Sequence, residues 1–358
     1  MAQRHLESSE PLNGNDVDAL GCYLRSRATE FLRSLRQHRE SGATGETAEA
    51  ARALRRAARR ISGTLHTFRP LLDTEWSDAL RPELAWLSGT LAREHAYASR
   101  LDRLTSALHT LTSRGSAPSP AGLFIAPAAI EQARPAGLSG RGGAGEARRP
   151  PAPRTDTTAP APAPTPEPRD TLTLGAAKAS ALLDRQLTLA RTRAHSTALQ
   201  SLGSARFHAV ADNVAVLASD VPLATTATRT ELEKLAAEAE SRLTEATTAL
   251  HHTSHPYNAD ADASWHHVRL LLRLHRYARE VLPDAPRDVR LLEAADALNT
   301  HRDAAEAAAA AAHGARTPRI APTTAYALGV LHADQRHEVA AARLAFGQAW
   351  QRQTVGTP

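Results

Sequence analysis

Residues 266–280 read His266-His267-Val268-Arg269-Leu270-Leu271-Leu272-Arg273-Leu274-His275-Arg276-Tyr277-Ala278-Arg279-Glu280. Apolar and basic residues alternate here with the period of an amphipathic helix, apolar on its back and basic on its front. A second copy lies about 214 positions upstream, in Arg52-Ala53-Leu54-Arg55-Arg56-Ala57-Ala58-Arg59-Arg60-Ile61. Basic residues occupy relative positions 0, 3 and 7 in both copies; Arg276 adds position 10 in the later one, where the earlier has Ser62. At about 100° per residue these positions fall within roughly 80° of arc and run along about 15 Å of helix. Each copy is therefore a basic ridge. Like charges at this spacing repel, and helices normally interleave acids to relieve them. No Asp or Glu occurs from Ala50 to Leu72 or from Ala263 to Arg279. A solvated outer face is the ordinary reading of one such ridge. Its repetition points instead to a ligand that brings the counter-charge. Arginine suits a phosphate ligand, because its planar fork makes paired bonds to oxygen and stays charged at cellular pH. His266 would be a titratable member of the ridge.

Only 4% of the 358 residues are aromatic, and Ala, Leu, Arg and Glu dominate long stretches, which favours helix packing over strand pairing. The expectation is an all-α fold. A single cysteine, Cys22, excludes an internal disulfide framework and a thiolate zinc site, and reads as a small core hydrophobe in a reducing compartment. No apolar run approaches the roughly 20 residues needed to span a bilayer, and the N-terminal sequence carries no signal-peptide core. A cytoplasmic protein without a membrane partner is expected. The net charge of +5 and the pI of about 9.8 favour polyanionic partners.

Residues 1–14 are polar and read as a disordered leader. Helical periodicity runs from 15 to 115, with Ala19, Tyr23, Leu24, Ala28, Phe31, Leu32 and Leu35 on one face and a second helix from near Thr47. Between 116 and 170 the composition shifts to Pro, Ala, Gly and Thr, as in Ala159-Pro160-Ala161-Pro162-Ala163-Pro164. Such a stretch buries too little apolar surface to offset its ordering entropy and reads as an extended linker. Its Gly122-Leu123-Phe124-Ile125 patch could dock on a neighbour. Periodicity resumes over 171–353, interrupted by Pro256, Pro283, Pro286, Pro318 and Pro322. Two helical halves joined by a tether are expected; Lys178, Arg185, Arg191 and Arg193 could line a groove with the ridges, but solvated charge is the favoured reading for them.

The residues quoted so far also carry a family resemblance. His266 to Glu280, with Arg269, Arg273, Arg276-Tyr277 and Glu280, resembles the second-half signature of CHAD domains, in which His-x-x-Arg precedes a basic residue and then Arg-Tyr-x-x-Glu. Leu298-Asn299-Thr300-His301-Arg302-Asp303 resembles that family's Leu-Gly-x-His-x-Asp turn, with Asn299 in place of glycine, and Tyr326 to Leu331 resembles its closing helix. In the first half, Arg59 to Leu72 resembles the Arg-Arg-x-Arg-x-x-Leu-x-x-Phe helix, and Leu84-Ala85-Trp86-Leu87 the next one. The resemblance covers residues 15 to 350 apart from the Pro-rich insertion. It implies two pseudo-symmetric helical bundles facing each other across a basic cavity, and inorganic polyphosphate as ligand. With Lys178 added from its charge on the preceding helix, the expected polyphosphate-binding set is Arg52, Arg55, Arg59, Arg60, Lys178, His266, Arg269, Arg273, Arg276 and His301. Departures concentrate in the first half: the leading histidine is replaced by Arg52, the third arginine by Ser62, and the Arg-Asp pair after the turn by His95 and Ala96.

No catalytic residue, metal or cofactor is expected. CHAD domains can accompany a triphosphate-hydrolysing CYTH domain, but its alternating Glu-x-Glu-x-Lys is absent, and Glu231-Leu232-Glu233-Lys234 has the wrong spacing. His-Glu-x-x-His, Walker and nucleophile-elbow motifs are absent too. His251, His252 and His255 could clasp a metal if they shared a helix face, but beside Ser254 and Pro256 they read as a polar loop. Two other readings stay open at this level. A basic helical groove could bind or be competed for by nucleic acid, although aromatics for base stacking are scarce; or the Pro-rich insertion could recruit partners on a scaffold whose groove is vestigial.

Overall fold

In the computed structural model, described over residues 17–40, 45–116, 168–224, 228–250, 255, 257–282 and 288–351, the chain is all-α. The leader, the insertion with its Gly122 to Ile125 patch, and His251 and His252 lie outside the described residues. The helices are α1 (Val17–Glu40), α2 (Gly45–Thr67), α3 (Thr74–Ser116), α4 (Pro168–Leu202), α5 (Ala205–Ser219), α6 (Arg229–Leu250), α7 (Asp262–Val281), α8 (Val289–Ala315) and α9 (Pro322–Gln351). Among the described residues none of them is long and apolar enough to cross a membrane.

Three apolar cores organise these helices. The first joins Leu24, Ala28 and Phe31 of α1 to Leu54, Ile61 and Leu65 of α2, Leu84 and Leu87 of α3, and Phe207, Val210 and Val214 of α5. The second packs Leu243 of α6, Val268 and Leu272 of α7, Leu291 and Leu298 of α8 and Phe346 of α9. The third closes the distal ends, setting Leu104 and Leu108 of α3 and Leu183 and Leu187 of α4 against Ala307, Ala311, Leu328 and Leu331 of α8 and α9. The alanine run of α8 explains its close pairing with α9: Ala304, Ala307, Ala308 and Ala311 are fully buried, and side chains this small let two helix backbones approach. Helix starts follow local chemistry. Ser204 caps α5 by accepting from the Phe207 amide, and Asp288 caps α8 by accepting from the Arg290 amide.

The two halves are interleaved rather than merely tethered. Helix α5 follows the insertion in sequence yet completes the α1–α2–α3 core. The corner after α2 is tied to the segment after α5 through a Leu72–Leu223 bridge, with Asp73 N donating to Pro222 O and Ala224 N to Leu71 O, both at 2.9 Å. The basic helices α2 and α7 cross where Gly63 meets Tyr277, two residues related by the same offset as the repeat. A Cβ on Gly63 would come within 2.6 Å of the Tyr277 ring, so glycine is what permits the crossing.

Two expectations change. Cys22 is exposed, not core, because it falls on the outward face of α1 between the inward Leu20 and Leu24. Helix α4 packs Ala176, Ala179, Leu183 and Leu187 against α3, α8 and α9, which leaves Lys178, Arg185, Arg191 and Arg193 on its solvent face, away from the basic ridges.

The α4–α9 contact yields a stability test. A Cβ on Gly175 would collide with the Thr323 carbonyl, lying 2.6 Å from its carbon, and backbone cannot swing aside. Alanine gains about 1 kcal/mol in helix propensity, but overpacking of this kind costs about 1–3 kcal/mol. Gly175→Ala should therefore lower the urea midpoint, with a net stability loss of up to about 2 kcal/mol. A raised midpoint would mean that the two helices are free to separate.

Candidate anion-binding cavity

Where α2 and α7 face each other, flanked by α3 and α8, they enclose a cavity of about 600 Å3. Arg55 and Arg59 enter from α2, Arg269 and Arg273 from α7, and Arg302 from α8. Leu270, Leu274, Ala85 and Pro82 supply apolar wall, Tyr277 is its aromatic residue, and no carboxylate lines it among the described residues. A smaller chamber of about 180 Å3 continues past Arg55, Ala92 and Arg302. That chamber differs in character, because Asp303 and Glu306 line it, and Glu306 pairs with Arg100.

The geometry divides the ridge arginines by their counter-charges. Acids just outside the acid-free windows neutralise the outer ones: Glu49 pairs with Arg52 at 2.8 Å and Arg56 at 3.0 Å, and Glu280 pairs with Arg60 at 3.0 Å. Arg55, Arg59, Arg269 and Arg273 form no ion pair among the described residues. Burial, and then mutual repulsion with neighbouring arginines, pushes Arg269 down to about 9 and Arg55 and Arg273 to about 10; Arg59 is lowered for the same reasons. All four remain protonated at neutral pH. The depression reflects burial first and, after it, the like charge of neighbouring guanidiniums. Apolar walls behind them keep the local dielectric low, which strengthens attraction for any anion that enters.

Of the residues expected from the sequence, Arg55, Arg59, Arg269 and Arg273 line the cavity. Arg52 and Arg60 are engaged by carboxylates outside its lining, Arg276 is half-buried outside it, and Lys178 is exposed on α4. His266 is exposed at the edge, its ring 5.9 Å from that of His301, and its pKa is lowered by burial although Asp262 and Glu306 oppose the shift. His301 is only 1% exposed and faces a buried network rather than the cavity. Sequence reasoning missed four lining residues as ligand candidates: Arg302, whose guanidinium also pairs with Asp303, and His66, Arg81 and Tyr277. It also missed Asn299. Where glycine was expected, the Asn299 side chain accepts from Arg269 Nε at 2.8 Å and so orients that guanidinium.

The network around His301 fixes α7 against α8 and α9. Asp262, at the start of α7, accepts from Arg336 Nη1 at 2.7 Å and Arg343 Nη2 at 2.9 Å, and lies 3.5 Å from His301 Nε2. The His301 ring stacks on Trp265, with centroids 5.2 Å apart, and Arg343 lies over the same indole. Arg336 is buried at 2% exposure. Burial alone would raise the Asp262 pKa, but hydrogen bonds from His301 and Arg336 outweigh it and hold the carboxyl well below the usual carboxylate range.

A depressed folded-state pKa contributes stability that is fully present above the ordinary value of 3.8 and is lost as pH falls through the lower folded value. Asp262→Asn leaves two arginines short of their counter-ion, a loss of about 3–5 kcal/mol for a broken buried pair. Urea unfolding at pH 7 should show that loss, and the variant should lose less than the wild type between pH 5 and pH 2. Equal stability of the two proteins at pH 7 would show that the network is not a structural anchor.

Comparison with known proteins agrees with this architecture. The CHAD domain family model matches residues 26–312. Among solved structures, PptA from Streptomyces chartreusis is similar at a TM-score of 0.70, with 55% identity over 94% of this chain and 99% of that one. No curated protein matches the chain. With the family model covering most of the sequence and a solved relative sharing more than half of its residues over nearly the full length, the chain belongs to the CHAD-domain family.

Proposed function

We propose that this protein binds inorganic polyphosphate in the α2–α7 cavity, as a receptor that holds the polymer without turning it over. The observation that carries the reading is the set of buried arginines, Arg55, Arg59, Arg269 and Arg273, whose charges nothing else in the cavity neutralises. A chain of phosphates supplies closely spaced negative oxygens matched to several guanidinium forks at once. Membership of the CHAD family, which is associated with polyphosphate, supports the same ligand. Arg302 joins the set from α8, Asn299 orients Arg269, and His266 stands at the rim. A single aromatic, Tyr277, offers little stacking for bases, so the cavity favours a base-free polymer over nucleic acid. A lining of cations and a few hydroxyls, with no carboxylate in it among the described residues, is in keeping with holding rather than hydrolysis.

Charge reversal tests the assignment. Arg269→Glu combined with Arg273→Glu should abolish binding of defined-length polyphosphate while the circular dichroism spectrum stays helical, because both side chains sit on the polar ridge rather than in a core. Unchanged affinity would remove these residues from the site.

The pH dependence has a definite sign. Burial pushes Arg269 down to about 9, so affinity should be greatest at neutral pH and fall as pH rises through about 9. His66 and His266, both held below their ordinary value of 6.5, add charge only on the acid side of it, so binding should tighten as pH falls below that value. An affinity that stays constant up to pH 11 would show that Arg269 keeps an ordinary guanidinium pKa in this cavity.

A further inference from the structure

The internal repeat leaves one position unmatched. Arg276 of the later copy corresponds to Ser62 of the earlier one, and it is Ser62 that lines the cavity. The Ser62 hydroxyl donates to the backbone carbonyl of Arg81 at 3.2 Å, which brings α3 close to α2 at this point. Arg81 then lines the same wall. Its Nη1 lies 3.0 Å from His66 Nδ1; since a guanidinium can only donate, His66 must accept there and carry its proton on Nε2. Burial, followed by the charges of Arg81 and Arg242, favours that neutral ring. Asp78 lies 3.7 Å from Arg81 Nη2, but it already accepts two bonds from Arg69 Nε and a third from Arg69 Nη2 at 2.6 Å. The Nε of Arg81 is buried with no hydrogen-bond partner. A half-compensated guanidinium with an unused donor thus stands beside a neutral imidazole N–H on the cavity wall.

We infer that Arg81 supplies the positive charge missing at Ser62 and, with His66, forms an additional phosphate subsite on the α3 side of the cavity. The inference rests on the reading of the cavity as a polyphosphate site. The subsite offers the remaining Arg81 Nη hydrogens and His66 Nε2–H to one phosphate of the polymer. Arg81 thus joins Arg55 and Arg59 as a third arginine on the first-half side of the cavity.

The test is a polyphosphate titration of the wild type, Arg81→Gln, Ser62→Arg and the double variant at several salt concentrations, with thermal midpoints measured alongside. Losing charge-assisted hydrogen bonds should weaken Arg81→Gln by roughly 10-fold or more. Its plot of log affinity against log salt should flatten by about one phosphate contact. Adding Ser62→Arg to Arg81→Gln should restore most of both. If Arg81→Gln binds as the wild type does while the Arg269→Glu, Arg273→Glu variant fails to bind, the cavity stands and the Arg81 subsite is wrong. No binding by the wild type would bring down the cavity reading together with the subsite. Should Arg81→Gln fold poorly, Arg81→Lys decides: retained salt slope with weaker affinity supports the subsite, and unchanged affinity overturns it.

Discussion

Unneutralised positive charge on two crossing helices is the constraint around which the rest of this structure is arranged. Arg55 and Arg59 on α2 face Arg273 on α7 closely enough to lower its proton affinity, and Arg59 and Arg273 act on Arg269 in the same way. Such an arrangement is costly by itself, and the apolar cores behind both helices must hold them in register against it. Leu54, Ile61 and Leu65 anchor α2 from behind, as Val268 and Leu272 anchor α7. The crossing at Gly63 and Tyr277 sets how closely the ridges approach. Carboxylates are placed to discharge only the outer arginines. Glu49 takes Arg52 and Arg56, and Glu280 takes Arg60, so that on these two ridges the uncompensated charge is left on the arginines that line the cavity.

The Asp262 network complements this design from the protein side. It is a second concentration of arginine, but a satisfied one: Arg336 and Arg343 converge on one carboxylate, with His301 and Trp265 closing the packing. A histidine that the sequence placed among ligand residues serves here to lock α8 to α7. One turn further along α7, His266 meets the His301 ring edge-on. The rim of the cavity and the buried anchor are therefore in contact, and the position of Arg269 depends on both the network and the Asn299 side chain.

Much of this was legible in the sequence, for identifiable reasons. Helical periodicity and the low aromatic content specified an all-α chain, and the repeated ridge located α2 and α7, because charge spacing on a helix maps directly onto a face. What sequence could not separate was a free arginine from a paired one. Arg52 and Arg55 look alike in the string, yet the Glu49 side chain reaches only the first. Lys178 and its neighbours on α4 could be assigned to the groove only while the packing of α4 against α9 was unknown. Arg81 and Arg302 escaped because they belong to helices with no basic periodicity of their own; only tertiary packing brings them to the cavity. Asn299 looked like a departure from a glycine turn and is instead a hydrogen-bond acceptor for Arg269.

The central claim is that the cavity selects a chain of bare phosphates and not merely negative charge. Its most direct test is a titration of the purified protein with defined long-chain polyphosphate at two salt concentrations, with single-stranded RNA and duplex DNA of matched charge as competitors. The account predicts tight binding that weakens steeply with salt, as counterion release requires, and that the nucleic acids fail to displace. Equal competition by the nucleic acids, or no binding at physiological salt, would contradict it and reduce the arginine cavity to a generic basic surface.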